Sequence, residues 1–186
     1  MNEGLTNYTL TNGSERNHFD TPAYAVYPLL PYINPKWKVW EPTDTYGRSK
    51  ITSVLKQHGC NVIATNEQEI DFIHEPTNFD DELWKGQGIP DLIITNPPFN
   101  IKDDFIDSCI YYQRKSDIRW ALLLPITSLE GIYRGTLFRM THLQLMIFDK
   151  RVEYLQKTGS TFFNSSWFCS GLSLPSDLFF YPLQKV

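Results

Sequence analysis

The sequence predicts an α/β fold in which a mostly parallel, twisted sheet carries helices on both faces. Between about residues 38 and 149, short apolar runs rich in β-branched residues alternate with segments whose apolar residues recur at helical spacing. Such alternation is typical of strand–helix–strand units, whose strands are parallel and buried. After residue 150 the helical spacing stops, and we expect an antiparallel strand near the C-terminus to complete the sheet.

Composition and charge limit the size and the partners of the domain. The chain has 186 residues, of which 41% are hydrophobic and 15% aromatic, enough for one domain with a sizeable core. We expect residues 1–17, which are polar and aperiodic, to form a flexible N-terminal arm, and residues 18–186 to form that single domain. The net charge of −4 argues against a large nucleic-acid footprint but leaves room for a local basic patch.

Compartment and metal chemistry follow from three sequence features. No apolar run is long enough to span a bilayer, and the N-terminus lacks the basic flank and apolar core of a secretory signal. The cysteines, Cys60, Cys109 and Cys169, are too far apart in sequence to suggest a disulfide framework or a metal knuckle. We therefore expect reduced core cysteines, no membrane partner, no metal and a cytoplasmic protein.

The first element is a helical segment with a capping sequence before it. Asp20 or Thr21 can cap a helix, and Pro22 suits the first helical position. Apolar residues then recur at helical spacing over residues 24–33, although Pro28 limits the regularity of that helix. We expect this segment to lie against the sheet.

The next elements are a strand, a loop, a helix and a second strand. Residues 38–42 are the first predicted strand and residues 61–66 the second. Between them, residues 49–58 have their apolar side chains on one helical face and are followed by Gly59, which suits a C-cap. The first loop contains Gly47. Strand, tight loop and helix form the arrangement that cradles a nucleotide-like cofactor.

The later elements continue the alternation. Each predicted strand is an apolar run bounded by polar or turn-forming residues, and each predicted helix has one apolar stripe. The strands are residues 91–95, 119–125, 143–149, 151–155, 166–172 and 178–181, and the helices are residues 102–112 and 129–140.

The most informative stretch is residues 91–100, Asp-Leu-Ile-Ile-Thr-Asn-Pro-Pro-Phe-Asn. Its apolar run is typical of a strand buried on both faces, and the two prolines stop the strand because neither has an N–H group. Pro97 also pushes Asn96 into an extended conformation. The result is a stiff loop at the carboxyl end of a strand, where open α/β sheets bind their ligands.

The sequence Asn96-Pro97-Pro98-Phe99 resembles the catalytic tetrapeptide of amino methyltransferases that use S-adenosylmethionine, above all the adenine-specific DNA methyltransferases, including short phage-encoded ones. The resemblance implies a Rossmann-like class I methyltransferase fold and methyl transfer to the exocyclic amine of adenine in DNA. It further implies that the Asn96 side-chain oxygen and the Pro97 carbonyl accept the two amine hydrogens, while Phe99 stacks on the base. Such acceptors favour a tetrahedral, nucleophilic nitrogen.

The resemblance also assigns the cofactor-binding residues. Glu41 matches the acid that meets the methionine amino group, and Asp44 could supply a second carboxylate. Asn66 stands where an acid usually accepts hydrogen bonds from the ribose, with Glu67 as a possible substitute. The loop keeps one glycine where the family has two or three small residues. The implied set is Asp20, Thr21, Pro22, Glu41, Asp44, Gly47, Asn66, Asp71, Phe72 and Asn96, with Asp71 and Phe72 at the adenine.

Residues 157–165 resemble the target-base loop of the same family. Phe162 and Phe163 could supply a second stacking face for a flipped base, and Ser165 or Ser166 could contact the base edge. Ordinary core packing is the alternative interpretation of these aromatic residues.

Several functions remain open within this resemblance. Related tetrapeptides serve RNA bases and protein glutamine amides. A binding or accessory subunit without turnover is a different class, favoured by the glycine-poor loop and Asn66 but opposed by the intact tetrapeptide. Because residues 66–91 are too few for a separate target-recognition domain, we expect a short or relaxed target in DNA, or a recognition partner or homodimer. If the chain is phage-encoded, it acts in the host cytoplasm.

Overall fold

The computed structural model describes residues 20–44, 47–67, 69–73, 88–154 and 163–185. The predicted arm, residues 1–17, lies outside the described residues, as does Phe162 of the predicted target-base loop. Among the described residues, no helix is both long enough and apolar enough to cross a membrane.

One sheet organises the described part of the chain. Its strands, in chain order, are β1 (Lys38–Glu41), β2 (Asn61–Ala64), β3 (Leu92–Thr95), β4 (Arg119–Pro125), β5 (Gln144–Phe148), β6 (Ser165–Ser170) and β7 (Leu178–Tyr181). Their order across the sheet is β2-β1-β3-β4-β6-β5-β7. Only β6 runs antiparallel to its neighbours in this described sheet. The predicted Rossmann-like fold class, with a mostly parallel sheet and one antiparallel strand towards the C-terminus, is confirmed.

The strand order reverses between β1 and β3. The chain forms β2 on one side of β1 and then crosses to the other side to form β3, which pairs with β1. In open α/β sheets, ligands bind in the crevice at the carboxyl ends of two strands related in this way. Glu41 is the last residue of β1 and Thr95 is the last residue of β3, so both lie at this crevice.

Helices cover both faces of the sheet, as the sequence predicts. On one face, α1 (Lys50–His58) packs with two short 3-10 helices, Ala23–Ala25 and Tyr27–Tyr32. On the other face, α2 (Lys102–Ser116) and α3 (Ile132–Phe138) pack together over β4. The core is therefore two apolar layers separated by the sheet, which explains why β3 is buried at every position.

The ends of α1 are those that the sequence predicts. The Ser49 side chain accepts a hydrogen bond from the Ile51 backbone N–H at 3.1 Å, which caps the first turn. Gly59 ends the helix in the left-handed conformation, with φ of +107°. The Cys60 N–H then bonds to the Leu55 carbonyl at 3.0 Å, which satisfies a carbonyl of the last turn.

The segment before β1 differs from the predicted helix. Residues 24–33 contain two prolines, and the structure replaces one α-helix with the two 3-10 helices. Their turns close by i to i+3 bonds, such as Val26 N–H to Ala23 C=O at 2.9 Å. The predicted cap is also wrong, because Pro22 occupies the N-cap position and no side chain caps the first turn.

Two later elements also differ from the prediction. Residues 151–154 form no strand. The helix predicted over residues 129–140 begins only at Ile132, because Gly131, with φ of +137°, separates it from a 3-10 turn. The three cysteines are buried and unpaired, as expected.

Three buried tryptophans join elements of the fold through hydrogen bonds of their indole N–H groups. The Trp40 indole N–H donates to the Thr65 hydroxyl at 2.9 Å, and the Trp167 indole N–H donates to the Ala25 carbonyl at 2.7 Å. Trp120 donates in the same way to the Gln113 side chain at 3.2 Å. A buried indole without a partner would be destabilising. The bonds of Trp167 and Trp120 therefore help to hold the sheet against its helices, and the bond of Trp40 joins β1 to the residue after β2.

Candidate functional site

Glu41 places a carboxyl group at the point where the strand order reverses. The residue is only 1% exposed, and its Oε1 atom accepts hydrogen bonds from the Thr43 N–H at 3.0 Å, the Thr43 hydroxyl at 2.8 Å and the Thr95 hydroxyl at 2.7 Å. Burial raises the pKa of Glu41 to about 7, while the bonds from Thr95 and Thr43 act in the opposite direction. The group is therefore poised to change charge near neutral pH.

Two carboxylate oxygens at this loop lack hydrogen-bond partners among the described residues. They are Oε2 of Glu41 and Oδ2 of Asp44, and both are buried. The other oxygen of Asp44 accepts a bond from the Ser49 N–H at 3.0 Å, at the start of α1. Buried carboxylate oxygens without donors are unfavourable. An ammonium group donates to such oxygens, so these two acceptors fit the amino group of the methionine part of S-adenosylmethionine.

Gly47 and Thr21 are two further residues of the predicted cofactor-binding set. Gly47 has φ of +68°, and a Cβ atom placed there would meet nothing within 4 Å. Its conformation, and not close packing against the protein, therefore requires glycine. Thr21 is buried, and its hydroxyl has no hydrogen-bond partner among the described residues. Asp20 is half-buried, and Pro22 is the N-cap residue of the first 3-10 helix, whose first turn no side chain caps.

The Asn-Pro-Pro-Phe loop lies where the sequence predicts it. Asn96 follows β3 directly and is half-buried, while Pro97 and Pro98 are buried. A 3-10 turn from Phe99 to Ile101 leads into α2, and Lys102 Nζ donates to the Phe99 carbonyl at 3.1 Å. Since Thr95, the residue before Asn96, is bonded to Glu41, the loop and Glu41 are adjacent.

The predicted base-stacking residues contact one another. The rings of Phe99 and Phe163 are 5.1 Å apart between centroids and nearly perpendicular, at 86°. A base stacked between two rings separates them by roughly 7 Å, twice an optimal contact distance. These two rings leave no such gap in this arrangement. Ser165 is buried, and its hydroxyl lies 2.7 Å from the Tyr154 hydroxyl.

The turn after β2 contains an acid, Glu69, that the sequence analysis did not single out. Glu69 Oε2 accepts hydrogen bonds from the Asn66 backbone N–H at 3.0 Å and from its side-chain amide at 3.1 Å. The Glu69 N–H in turn donates to the Asn66 carbonyl at 3.0 Å. The Asn-x-x-Glu spacing of a capping box could have predicted this pairing. Glu69, not Glu67, is therefore the acid that Asn66 contacts.

Asp71 and Phe72 occupy different environments. Phe72 is 1% exposed and packs in the core, with its ring stacked on Phe105 at 5.0 Å and edge-on to Trp40 at 5.0 Å. Asp71 is half-buried and accepts a hydrogen bond from the Ile73 N–H at 3.0 Å. Phe72 thus anchors the turn that carries Asp71, and contact of either residue with the cofactor adenine stays a prediction.

Comparisons with known proteins add structural neighbours at low similarity. No family model matches the chain, and no curated protein matches its sequence. It is similar to a modification subunit of a putative type I restriction enzyme from Vibrio vulnificus YJ016, with TM-score 0.48 and 13% identity over 83% of this chain and 44% of that subunit. It is also similar to a predicted O-methyltransferase from Agrobacterium tumefaciens, with TM-score 0.35 and 10% identity over 87% and 86% of the two chains.

The chain thus spans less than half the length of the Vibrio subunit. Identities and scores at this level do not bear on activity, so the functional conclusion depends on the residues of the site.

Proposed function

We propose that this protein transfers a methyl group from S-adenosylmethionine to the exocyclic amine of adenine in DNA. One observation carries the proposal: the Thr95 hydroxyl bonds to Glu41 at 2.7 Å, and the next residue is Asn96. The acid suited to the cofactor and the amide suited to the substrate amine therefore meet at the carboxyl ends of β1 and β3. That is the position at which such sheets bind ligands.

The cofactor side of the site consists mainly of acidic groups. Glu41 and Asp44 would hold the methionine ammonium group, because each has a buried oxygen without a donor among the described residues. Asn66, with Glu69 beside it, would face the ribose, and Asp71 would accept from the adenine amine. When bound, the cofactor supplies an electrophilic methyl group. The chain supplies its orientation.

The substrate side needs acceptors and a stacking surface but no strong base. The Asn96 side-chain oxygen and the Pro97 carbonyl would accept the two amine hydrogens. These bonds would localise the lone pair on the nitrogen, where it can react, instead of leaving it delocalised into the ring. Phe99 would stack on the base and align it. Held in this way by Asn96, Pro97 and Phe99, the amine nitrogen would be the nucleophile for the methyl group that the cofactor would supply, and its surplus proton would pass to solvent.

Recognition of the nucleic acid belongs to the same proposal. We propose that residues 18–186 act as one catalytic domain without a separate target-recognition domain, and that a partner subunit or a second copy of the chain supplies part of the DNA contact. The net charge of −4 supports this, because phosphate contacts supply most of the affinity of nucleic-acid binding.

A second candidate is a methyltransferase-like binding subunit with little turnover. It is favoured by the contact of Phe99 with Phe163, which leaves no room for a base between the rings. Movement of Phe163 would be required for a sandwiched base, whereas a binding subunit needs none.

Transfer of a labelled methyl group distinguishes the two candidates. The protein is incubated with labelled S-adenosylmethionine and, in parallel, unmethylated DNA, RNA and protein. We expect label in the adenine of DNA. Cofactor binding without transfer to any substrate would favour the binding subunit, and label in RNA or in a glutamine side chain would correct the substrate.

A further inference from the structure

A cluster of three oxygen atoms joins the cofactor acid to the catalytic strand. Glu41 Oε1 lies 2.8 Å from the Thr43 hydroxyl and 2.7 Å from the Thr95 hydroxyl, and the two hydroxyls are 2.5 Å apart. Thr95 is completely buried and Glu41 is 1% exposed. The bond between Thr95 and Glu41 is therefore shielded from water, where hydrogen bonds to a carboxylate are strongest, whereas Thr43 is half-buried.

The two threonines have different positions relative to the acid. Thr43 is two residues after Glu41 in the same loop, so it moves with the acid. Thr95 is 54 residues away and ends β3, the strand that continues into Asn96. The Thr95 bond therefore sets the position of the carboxyl group relative to the Asn-Pro-Pro-Phe loop.

These bonds also determine which carboxylate oxygen has no hydrogen-bond donor among the described residues. The donors from Thr43 and Thr95 all converge on Oε1. Oε2 is buried and has no hydrogen-bond partner among the described residues. One oxygen is thus held by the protein, and the orientation of the other is fixed.

We propose that Thr95 is a positioning residue, whose hydroxyl holds the Glu41 carboxyl group in register with Asn96 so that methyl donor and acceptor amine are aligned. This inference rests on the proposed function of the site. This role explains why the fully buried run Leu-Ile-Ile-Thr ends in a residue with a hydroxyl group. If only packing mattered, valine would fill the same space.

The pH dependence of cofactor binding distinguishes a positioning role of the Thr95 hydroxyl from a purely structural one. Among the described residues, Asp44 is the charged group that acts on Glu41, and its negative charge raises the pKa of Glu41, as burial does. The Thr95 bond lowers that pKa. Loss of the Thr95 hydroxyl should therefore raise the pKa of Glu41 further, so that more of the acid is uncharged at neutral pH and a cationic amine binds more weakly.

The test compares Thr95→Val, which removes the hydroxyl at nearly constant shape, with Thr95→Ser, which keeps it. Thr52→Val is the matched control, because Thr52 is also buried but lies on α1 and its hydroxyl has no partner among the described residues. The titration of the Glu41 carboxyl carbon is followed by NMR in the ligand-free protein and assigned with Glu41→Gln. Calorimetry gives the affinity for S-adenosylmethionine across pH, and steady-state assays give kcat and KM.

Thr95→Val should raise the midpoint of the Glu41 titration, weaken cofactor binding about tenfold at pH 7 and lower kcat for methyl transfer. Thr95→Ser should stay close to the unmodified protein in all three measurements, and Thr52→Val should change none of them. In the Glu41→Gln background, Thr95→Val should weaken binding much less, because the charged acceptor is already absent. If Thr95→Val does not fold, Thr95→Ala replaces it in the same comparison.

An unchanged titration and affinity in folded Thr95→Val would overturn the inference, as would a serine variant as impaired as the valine variant. Failure of the proposed function looks different. If the unmodified protein binds the cofactor but transfers no methyl group, the proposed function fails, while the affinities of the two Thr95 variants still decide the role of Thr95. An unmodified protein that does not bind the cofactor contradicts both.

Discussion

At the scale of single residues, we expect the charge of Glu41 to control cofactor binding. Burial raises the pKa of Glu41 to about 7, so the group exchanges its proton near neutral pH. A cationic amine binds the ionised form, and its affinity should therefore rise as pH rises through about 7. Cofactor binding below this pH should release a proton.

The same pKa shift predicts how stability depends on pH. The folded-state pKa of Glu41 lies above its ordinary value of 4.5, so the folded protein binds the proton more tightly. The stabilising contribution is present below pH 4.5 and is lost as pH rises through about 7. Over that window we expect Glu41 to lower the free energy of unfolding by about 3 kcal/mol.

Glu41→Gln tests this expectation by chemical denaturation between pH 4 and 8. The variant should be more stable than the unmodified protein at pH 8 and similar to it at pH 4, while it binds the cofactor more weakly. Glu130→Gln, an exposed acid, is the control and should change neither property. Equal stability of Glu41→Gln and the unmodified protein at every pH would show that the acid is not desolvated.

The site residues were predictable from the sequence to different degrees. Glu41 and Asn96 follow apolar strands directly, so their place at the carboxyl edge could be predicted. The bond between Glu41 and Thr95 could not, because it joins residues 54 positions apart and depends on how β1 pairs with β3. The burial of Phe72 could not be predicted either, because it depends on packing against Phe105 of α2, which is distant in sequence.

At the scale of secondary-structure elements, the cap of α1 makes the clearest stability prediction. Gly59 has φ of +107°, and a Cβ atom there would lie 3.3 Å from the Pro35 Cβ. Gly59→Ala should therefore destabilise the protein by about 1–2 kcal/mol. Gly135→Ala, in the interior of α3, should instead stabilise it by roughly 0.5–1 kcal/mol.

Thermal unfolding of both alanine variants provides the measurement. The two substitutions add the same methyl group, so a difference in sign isolates the left-handed conformation of Gly59. Equal effects of the two substitutions would contradict this assignment of the C-cap.

The elements that were predicted correctly are those whose signal is local. The strand over residues 119–125 is a continuous apolar run, and the helix after Ser49 has a cap at each end. The segment over residues 24–33 has helical spacing but also prolines, which remove hydrogen-bond donors and favour short 3-10 turns. Periodicity predicted burial in this segment correctly but did not predict the type of helix.

At the scale of the whole molecule, the net charge and the single-sheet architecture of the described residues predict limited recognition of a DNA target sequence. Base-edge readout needs several placed side chains, each good bidentate pair contributing roughly 1–3 kcal/mol of discrimination. The described residues form one sheet with its covering helices, and the net charge is −4. We therefore expect a short or relaxed target sequence when the chain acts alone.

Single-molecule sequencing of DNA from cells that express this chain alone measures the target directly. Methylated adenines should occur in a short or degenerate context, or should require a recognition partner. Modification confined to one site of about six base pairs would show that this chain reads sequence by itself and would contradict the expectation.

The most direct test of the central claim is the substitution Asn96→Ala. The claim is that Asn96 holds the substrate amine beside the cofactor acid, so its loss should lower the single-turnover rate of methyl transfer on the order of 100-fold or more. Cofactor affinity, measured by calorimetry, should remain nearly unchanged. Asn100→Ala, an exposed asparagine four residues later, should retain both properties. Retention of most methyl transfer by folded Asn96→Ala would contradict the catalytic assignment of the loop.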